Sequence, residues 1–382
     1  MQYRDGRWMV LKRDIDFIRS WRSKHGIIPP FIVMQARSPY SFKEEQLVDE
    51  DAFSFILEYL ASAQYLFVNA TIWDELATRK IACPNLRTVV LHSDGHNSEA
   101  MVSNLQSVMG LTATPTPPLQ RLFMLSFTLC PENALLLPGP WSSLTHVGLW
   151  DIVISLRFWF DFVAVAPALR CAYLSIYEIK EDYKNLIEYT LPQLCSLFIE
   201  SRNVQICDLF SNLYLPTLHT LSLSLRRVSS WTNMKNVIAK LPGVLNAAPN
   251  ITTLGLSENF LPIEDEWQES DDSETELPST LGTTPLWTHT PHLTHLVFEK
   301  LFRTDTEEIA ERVGLYRSDC PIRKLTVVDG KRSNATGNST ESQKLELSED
   351  GSEHERSICI EFDKETLDQK AWDLMKTCEL VD

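Results

Sequence analysis

The sequence predicts an α/β leucine-rich-repeat solenoid, a curved parallel sheet on the concave side with helices outside. Three observations carry that reading: a recurring strand motif, a nearly constant spacing between its copies, and linkers with helix-like apolar periodicity. The motif Pro-x-Leu-x-x-Leu-x-Leu recurs as PNLRTVVL (84–91), PPLQRLFM (117–124), SSLTHVGL (142–149), PALRCAYL (167–174), PQLCSLFI (192–199), PTLHTLSL (216–223), PNITTLGL (249–256), PHLTHLVF (291–298) and a contracted PIRKLTV (321–327). Four consecutive spacings between leading leucines, from Leu119 to Leu218, are 25, 25, 25 and 24 residues. A period of roughly 20–29 residues carrying L-x-x-L-x-L marks a leucine-rich repeat.

Within each copy the second and third apolar residues alternate with polar ones, which is the period of a half-buried strand. The linkers 97–110, 178–190, 204–214 and 304–316 carry apolar residues at three-to-four spacing and read as helices or turns. Proline before each strand stops the preceding helix, because it lacks an N–H and restricts the residue before it. One such unit cannot bury both of its faces alone, so neighbours must stack. The expected organisation is an N-terminal cap or first irregular repeats over 1–70, a repeat array over 71–330, a disordered linker over 331–357, and a strand–helix cap over 358–382 with its helix at 364–378. An acidic loop, 262–289, interrupts the array.

Composition narrows the function. The 382 residues are 44% hydrophobic and 23% charged, enough for a sizeable core. Net charge is −16, but 262–289 holds eight acids and no base, and 341–382 holds thirteen acids against five bases. The remaining body is balanced and offers no footprint for a nucleic-acid backbone or an anionic membrane. Eight scattered cysteines without a CxxC pair read as reduced core thiols, and the charged N-terminal segment lacks a signal-peptide apolar run. The expected location is therefore intracellular, cytoplasmic or nuclear.

Catalytic and cofactor motifs are not found. The thirteen glycines are never closer than seven positions, which excludes GxGxxG, GxxxxGK and GxSxG, and no HExxH occurs. His289, His292 and His295 invite a metal reading, yet His292 and His295 flank the motif's Leu293 and no acid or cysteine sits at ligand spacing in that strand. The expectation is a protein with no enzymatic activity, no metal and no cofactor.

The repeats specify a surface instead. The central outward column runs through Val90, Phe123, Gly148, Tyr173, Phe198, Ser222, Gly255, Val297 and Thr326. Columns two residues before and after it flank it on either side. Arg121, Phe123, Leu125, His146, Trp150, Tyr173 and Phe198 therefore fall together, and exposed aromatics beside an arginine have the composition of a protein-binding hot spot. These seven are the candidate partner-binding residues, with a protein ligand expected on the concave face.

The stretch from about 15 to 330 resembles fungal F-box proteins with irregular leucine-rich repeats, especially those of mushroom-forming fungi. The wording that carries the likeness is FIRSWRSKHGIIPPFIVMQ (17–35), similar to the segment after the F-box, together with CPNLRTVVL, WSSLTHVGLWDI and LPTLHTLSLSL. The resemblance implies a ubiquitin-ligase subunit whose F-box binds a Skp-type adaptor of a cullin ligase and whose repeats hold the protein to be ubiquitylated. No LPxE-type helix precedes residue 17, so no adaptor-binding residue carries over, and a free-standing repeat scaffold unconnected to ubiquitin ligation is the alternative expectation.

Overall fold

Among the described residues, seven of the nine motif copies fold as the same turn followed by a strand. The leading leucine's N–H bonds the carbonyl three residues earlier, as in Leu86 to Cys83 (3.2 Å), Leu169 to Ala166 (3.2 Å), Leu218 to Leu215 (3.2 Å) and Leu293 to Thr290 (3.0 Å). In these copies proline is the second residue of a tight turn, where its fixed φ fits and no N–H is needed. The expected role of proline as a helix stop is thereby corrected in part. Pro249 does follow a helix, whereas Pro192 and Pro216 follow short strands. The residue opening each turn is itself core: Leu60, Cys83, Trp141, Ala166, Leu191, Leu215, Ala248 and Thr290 are all buried.

The computed structural model describes residues 2–4, 7–9, 20, 23–24, 31–34, 60, 63–69, 83, 85–92, 119–129, 140–180, 187–202, 204–226, 231–257, 260, 286–300, 320–329, 341–347 and 356–363. The chain divides into two compact units, Met1–Leu169 with Lys180–Asp182, and Arg170–Ile179 with Tyr183–Asp382. Each is α/β, with long runs of parallel strands and few helices, an arrangement compatible with a solenoid.

In the first unit β1 (Gln2–Arg4) and β2 (Arg7–Met9) form an antiparallel hairpin. The strands β3 (Phe31–Met34), β4 (Tyr65–Asn69), β5 (Thr88–His92), β6 (Arg121–Leu125) and β8 (His146–Ser155) pair in parallel in that order, and β7 (Thr128–Leu129) joins the far end of β8. Helix α1 (Leu156–Val165) follows, with Ser155 Oγ accepting from Phe158 N at 3.0 Å as its N-cap. Leu156, Phe158, Trp159, Phe160, Phe162 and Val163 are all buried on it.

In the second unit β9 (Cys171–Lys180), β11 (Ser196–Ser201), β13 (Thr220–Leu225), β14 (Thr253–Ser257), β15 (His295–Lys300), β16 (Lys324–Asp329) and β18 (Arg356–Asp363) run parallel in chain order. A small parallel pair, β10 (Tyr189–Thr190) and β12 (Leu213–Tyr214), lies apart from them. Helix α2 (Trp231–Ala247) precedes β14 and keeps Pro242 in its interior. Burial of Val237, Ile238, Leu241, Val244 and Leu245 at helical spacing outweighs that proline.

Neighbouring copies are locked by a repeated bond pattern. One carbonyl in each copy accepts two N–H groups from the next: Arg87 O from Gln120 and Arg121 (2.9 and 3.0 Å), and His219 O from Thr252 and Thr253 (2.9 and 3.0 Å). Side chains add cross-links, with Thr145 Oγ1 donating to Gln120 O (3.0 Å), Thr217 Oγ1 to Leu194 O (3.0 Å) and Asn250 Nδ2 to Pro216 O (2.7 Å). At the end of β13, Leu225 N donates to Ser257 Oγ at 2.9 Å in a buried site. Ser257→Ala removes that bond and is expected to cost about 0.5–1.5 kcal/mol, read from the urea midpoint. An unchanged midpoint would show that the bond contributes nothing.

Ser126 and Asp151 occupy matching register positions and both adopt the left-handed region, with φ 61° and 53°. The two strands bend together there, so that Thr128 meets Val153 beyond the bend. A β-branched side chain is strained in that region. Ser126→Val is expected to lower stability by about 1–2 kcal/mol and Ser126→Gly to leave Tm equal or raised; equal Tm for both variants would contradict this account.

Several expectations change. The segment 178–190, read as a helix or turn, contributes the end of β9 and then β10, and 204–214, read likewise, holds a 3₁₀ helix over Val204–Phe210 followed by β12. Apolar residues at mixed spacing there serve strand faces that are buried unevenly. Helices expected at 97–110, 304–316 and 364–378, and the acidic loop apart from its last four residues, lie outside the described residues. Within 331–357, expected to be a disordered linker, Glu341–Leu347 form β17, which pairs antiparallel with β18 from Glu341↔Phe362 to Leu347↔Arg356. Its KLEL alternation supplies a strand period that the surrounding polar composition hides. Among the described residues, no helix is long and apolar enough to cross a membrane.

Candidate functional site

The face opposite the leucines is where the outward columns lie, and the described pairings between motif strands within a unit join equivalent motif positions. Thr88, Arg121 and His146 are register partners in turn, as are Val90, Phe123 and Gly148. In the second unit the central column Tyr173, Phe198, Ser222, Gly255, Val297 and Thr326 is likewise paired strand by strand.

Exposure within those columns departs from the expectation. Phe123 is 3% exposed and Tyr173 0%, and Arg121 is also buried, so these three are not presented outward as contact groups. On β6 and over Cys171–Leu174 of β9 both faces of the strand are closed, because strands about 4.8 Å apart bring same-column side chains into contact. Gly148 beside Phe123 leaves room for that ring to settle inward. Leu125, His146 and Trp150 of the first unit, and Phe198 of the second, are half-buried and keep part of their surface. Leu125 and Trp150 are register partners, and so are Tyr173 and Phe198. His146 Nδ1 lies 2.9 Å from Thr145 Oγ1, which ties the ring to the cross-link onto Gln120.

The column after the central one holds a cluster that the reading of the sequence did not single out. Glu200 on β11 pairs with Arg226, one residue past β13, at 2.7 Å, and Arg226 reaches Glu299 on β15 at 3.5 Å. Ser224 Oγ donates to Glu299 Oε2 at 2.7 Å and Ser175 Oγ to Glu200 Oε2 at 3.4 Å. Burial pushes the Glu299 carboxyl above its ordinary value; the Ser224 bond and the Arg226 charge oppose the rise, and the Glu200 charge adds to it. The available signal was two acids, Glu200 and Glu299, in one outward column, with the arginines of LSLSLRR immediately beyond the strand between them.

The three histidines do not converge. His289 Nδ1 contacts Asn246 Oδ1 at 3.1 Å, His295 Nε2 contacts Thr326 Oγ1 at 2.9 Å, and His292 is exposed. Among the described residues, no group of three or more His, Cys, Asp or Glu side chains is placed to hold a metal ion. Burial pushes the Cys83 and Cys207 thiols up to about 12, which keeps them neutral and poor nucleophiles at physiological pH. Cys195, expected in the core, is exposed.

No protein-family model matches this chain, and no curated protein is similar to it.

Proposed function

We propose that this chain is a non-catalytic protein–protein interaction module: a leucine-rich-repeat solenoid whose strand-lined face holds a protein ligand, acting inside the cell as the substrate-recognition region of an F-box-type ubiquitin-ligase subunit. The observation that carries the binding reading is the register, which lines up the same motif position in strand after strand. Such a face presents rows of side chains at a fixed spacing, suited to a macromolecular surface. In the first unit Leu125, His146 and Trp150 supply ligand contacts beside the buried Arg121 and Phe123, and in the second unit Phe198 does so beside the buried Tyr173. The ligase role rests on the resemblance of the strand wording and of 17–35 to fungal F-box proteins. Because the motifs that carry that likeness include no adaptor-binding residue, a free-standing repeat scaffold is the second reading.

Affinity purification of the full chain with quantitative mass spectrometry separates these. Stoichiometric Skp-type adaptor and cullin support the ligase arm. A stoichiometric ligand without them supports the scaffold, and recovery of the chain alone counts against both.

A further inference from the structure

Glu200, Arg226 and Glu299 belong to three strands that are not all neighbours. β14 separates β13 from β15, and its Ser257, the register partner of Glu299, is small enough for the Ser224 and Arg226 side chains to pass over it. The bridge thus ties β11 to β13 to β15. Among the described residues its charges do not balance: two carboxylates face one guanidinium, and the shorter contact, 2.7 Å against 3.5 Å, goes to Glu200. Glu299 is 1% exposed, while Arg226 keeps 36% of its side chain in solvent. The other strands packed beside Glu299 bring no described charge to it. β14 presents Ser257 and β16 presents Val328 at its register, and Lys324 sits at the far end of β16 beside His295.

We propose that this cluster is a proton-operated clamp across β11, β13 and β15, closed while Glu299 carries a proton and loosened when that proton is lost to solvent. With the proton in place, the carboxyl hydrogen-bonds Ser224 as a neutral group, and Arg226 is matched one-to-one by Glu200. Ionisation leaves a second negative charge buried with only a shared guanidinium to offset it, an arrangement that costs stability. The folded state therefore holds the Glu299 proton more tightly than the unfolded chain does. Its contribution is complete below the ordinary carboxylate value of 4.5 and is lost as pH rises through the higher folded value.

The test compares full-length wild type with Glu299→Gln, which keeps the shape and a hydrogen bond to Ser224 but cannot ionise. Thermal melts are run from about pH 5 to about pH 8, alongside difference infrared spectra of the protonated carboxyl band. The expected result is a Tm advantage of Glu299→Gln that grows with pH, amide exchange of Leu223–Leu225 and Leu296–Phe298 that rises with pH beyond its intrinsic rate only in wild type, and a carboxyl band that the substitution removes. Parallel pH profiles for the two proteins, or no such band, overturn the clamp. Should Glu299→Gln fail to fold, Ser224→Ala decides. Losing a donor to the ionised form moves the loosening to higher pH, and an unmoved or lowered profile refutes the proposal.

Discussion

Trp150→Ala combined with Phe198→Ala is expected to weaken capture of the stoichiometric partner by about 30-fold or more, the equivalent of one hot-spot residue of 2 kcal/mol. Both side chains are half-buried on outward columns, so each has surface left to give a ligand and packing enough to hold it in one orientation. Phe198 stands between Tyr173 and the small Ser222 in its column, which leaves one side of the ring uncrowded. Arg121, Phe123 and Tyr173 must stay out of such a test. Phe123→Ala empties a buried site and is expected to cost about 3–5 kcal/mol, so any loss of binding would report unfolding. Titration of the purified partner, with Tm as a control, checks the prediction. Undiminished affinity in the double variant would remove this face from the binding account.

Leu197→Ala, one position earlier on the same strand, is expected to do the reverse. It should cost about 2–5 kcal/mol of stability and leave the outward columns chemically unchanged. Leu197 is buried between Ala172 and Leu221 in the register, and its neighbours belong to adjacent copies, so a cavity there is felt across the array. Ser196→Ala, on the outward face, is expected to stay within about 0.5 kcal/mol. Urea unfolding of the two variants measures the contrast. Similar midpoints would mean that β11 does not separate a core face from an outward one, although its burial alternates residue by residue.

Much of this was legible beforehand. The pairings Phe198↔Ser222, Gly255↔Val297 and Val297↔Thr326 follow from aligning the motif copies. The array also begins earlier than the motif suggests, because Ala63 takes the leucine's place: its N–H bonds Leu60 O at 3.3 Å, and Leu66 and Val68 fill the following buried positions. A small residue at the leading position left that copy open between a cap and a first irregular repeat. Helix α1 was not read from the sequence either, although its open positions Arg157, Asp161, Ala164 and Val165 lie at helical spacing, because two of those four are apolar and blur the period.

For the motif strands, position, direction and register were thus determined by the sequence alone. A side chain that alternates with period two and recurs about every 25 residues has one stacking in which all its leucines are buried together. Openness was not. Whether Phe123 or Phe198 meets solvent, and whether Glu299 meets Arg226, depends on groups far apart in the chain, 73 residues in the latter case. Solvent exclusion and charge pairing are properties of the assembled face, and only the tertiary structure decides them.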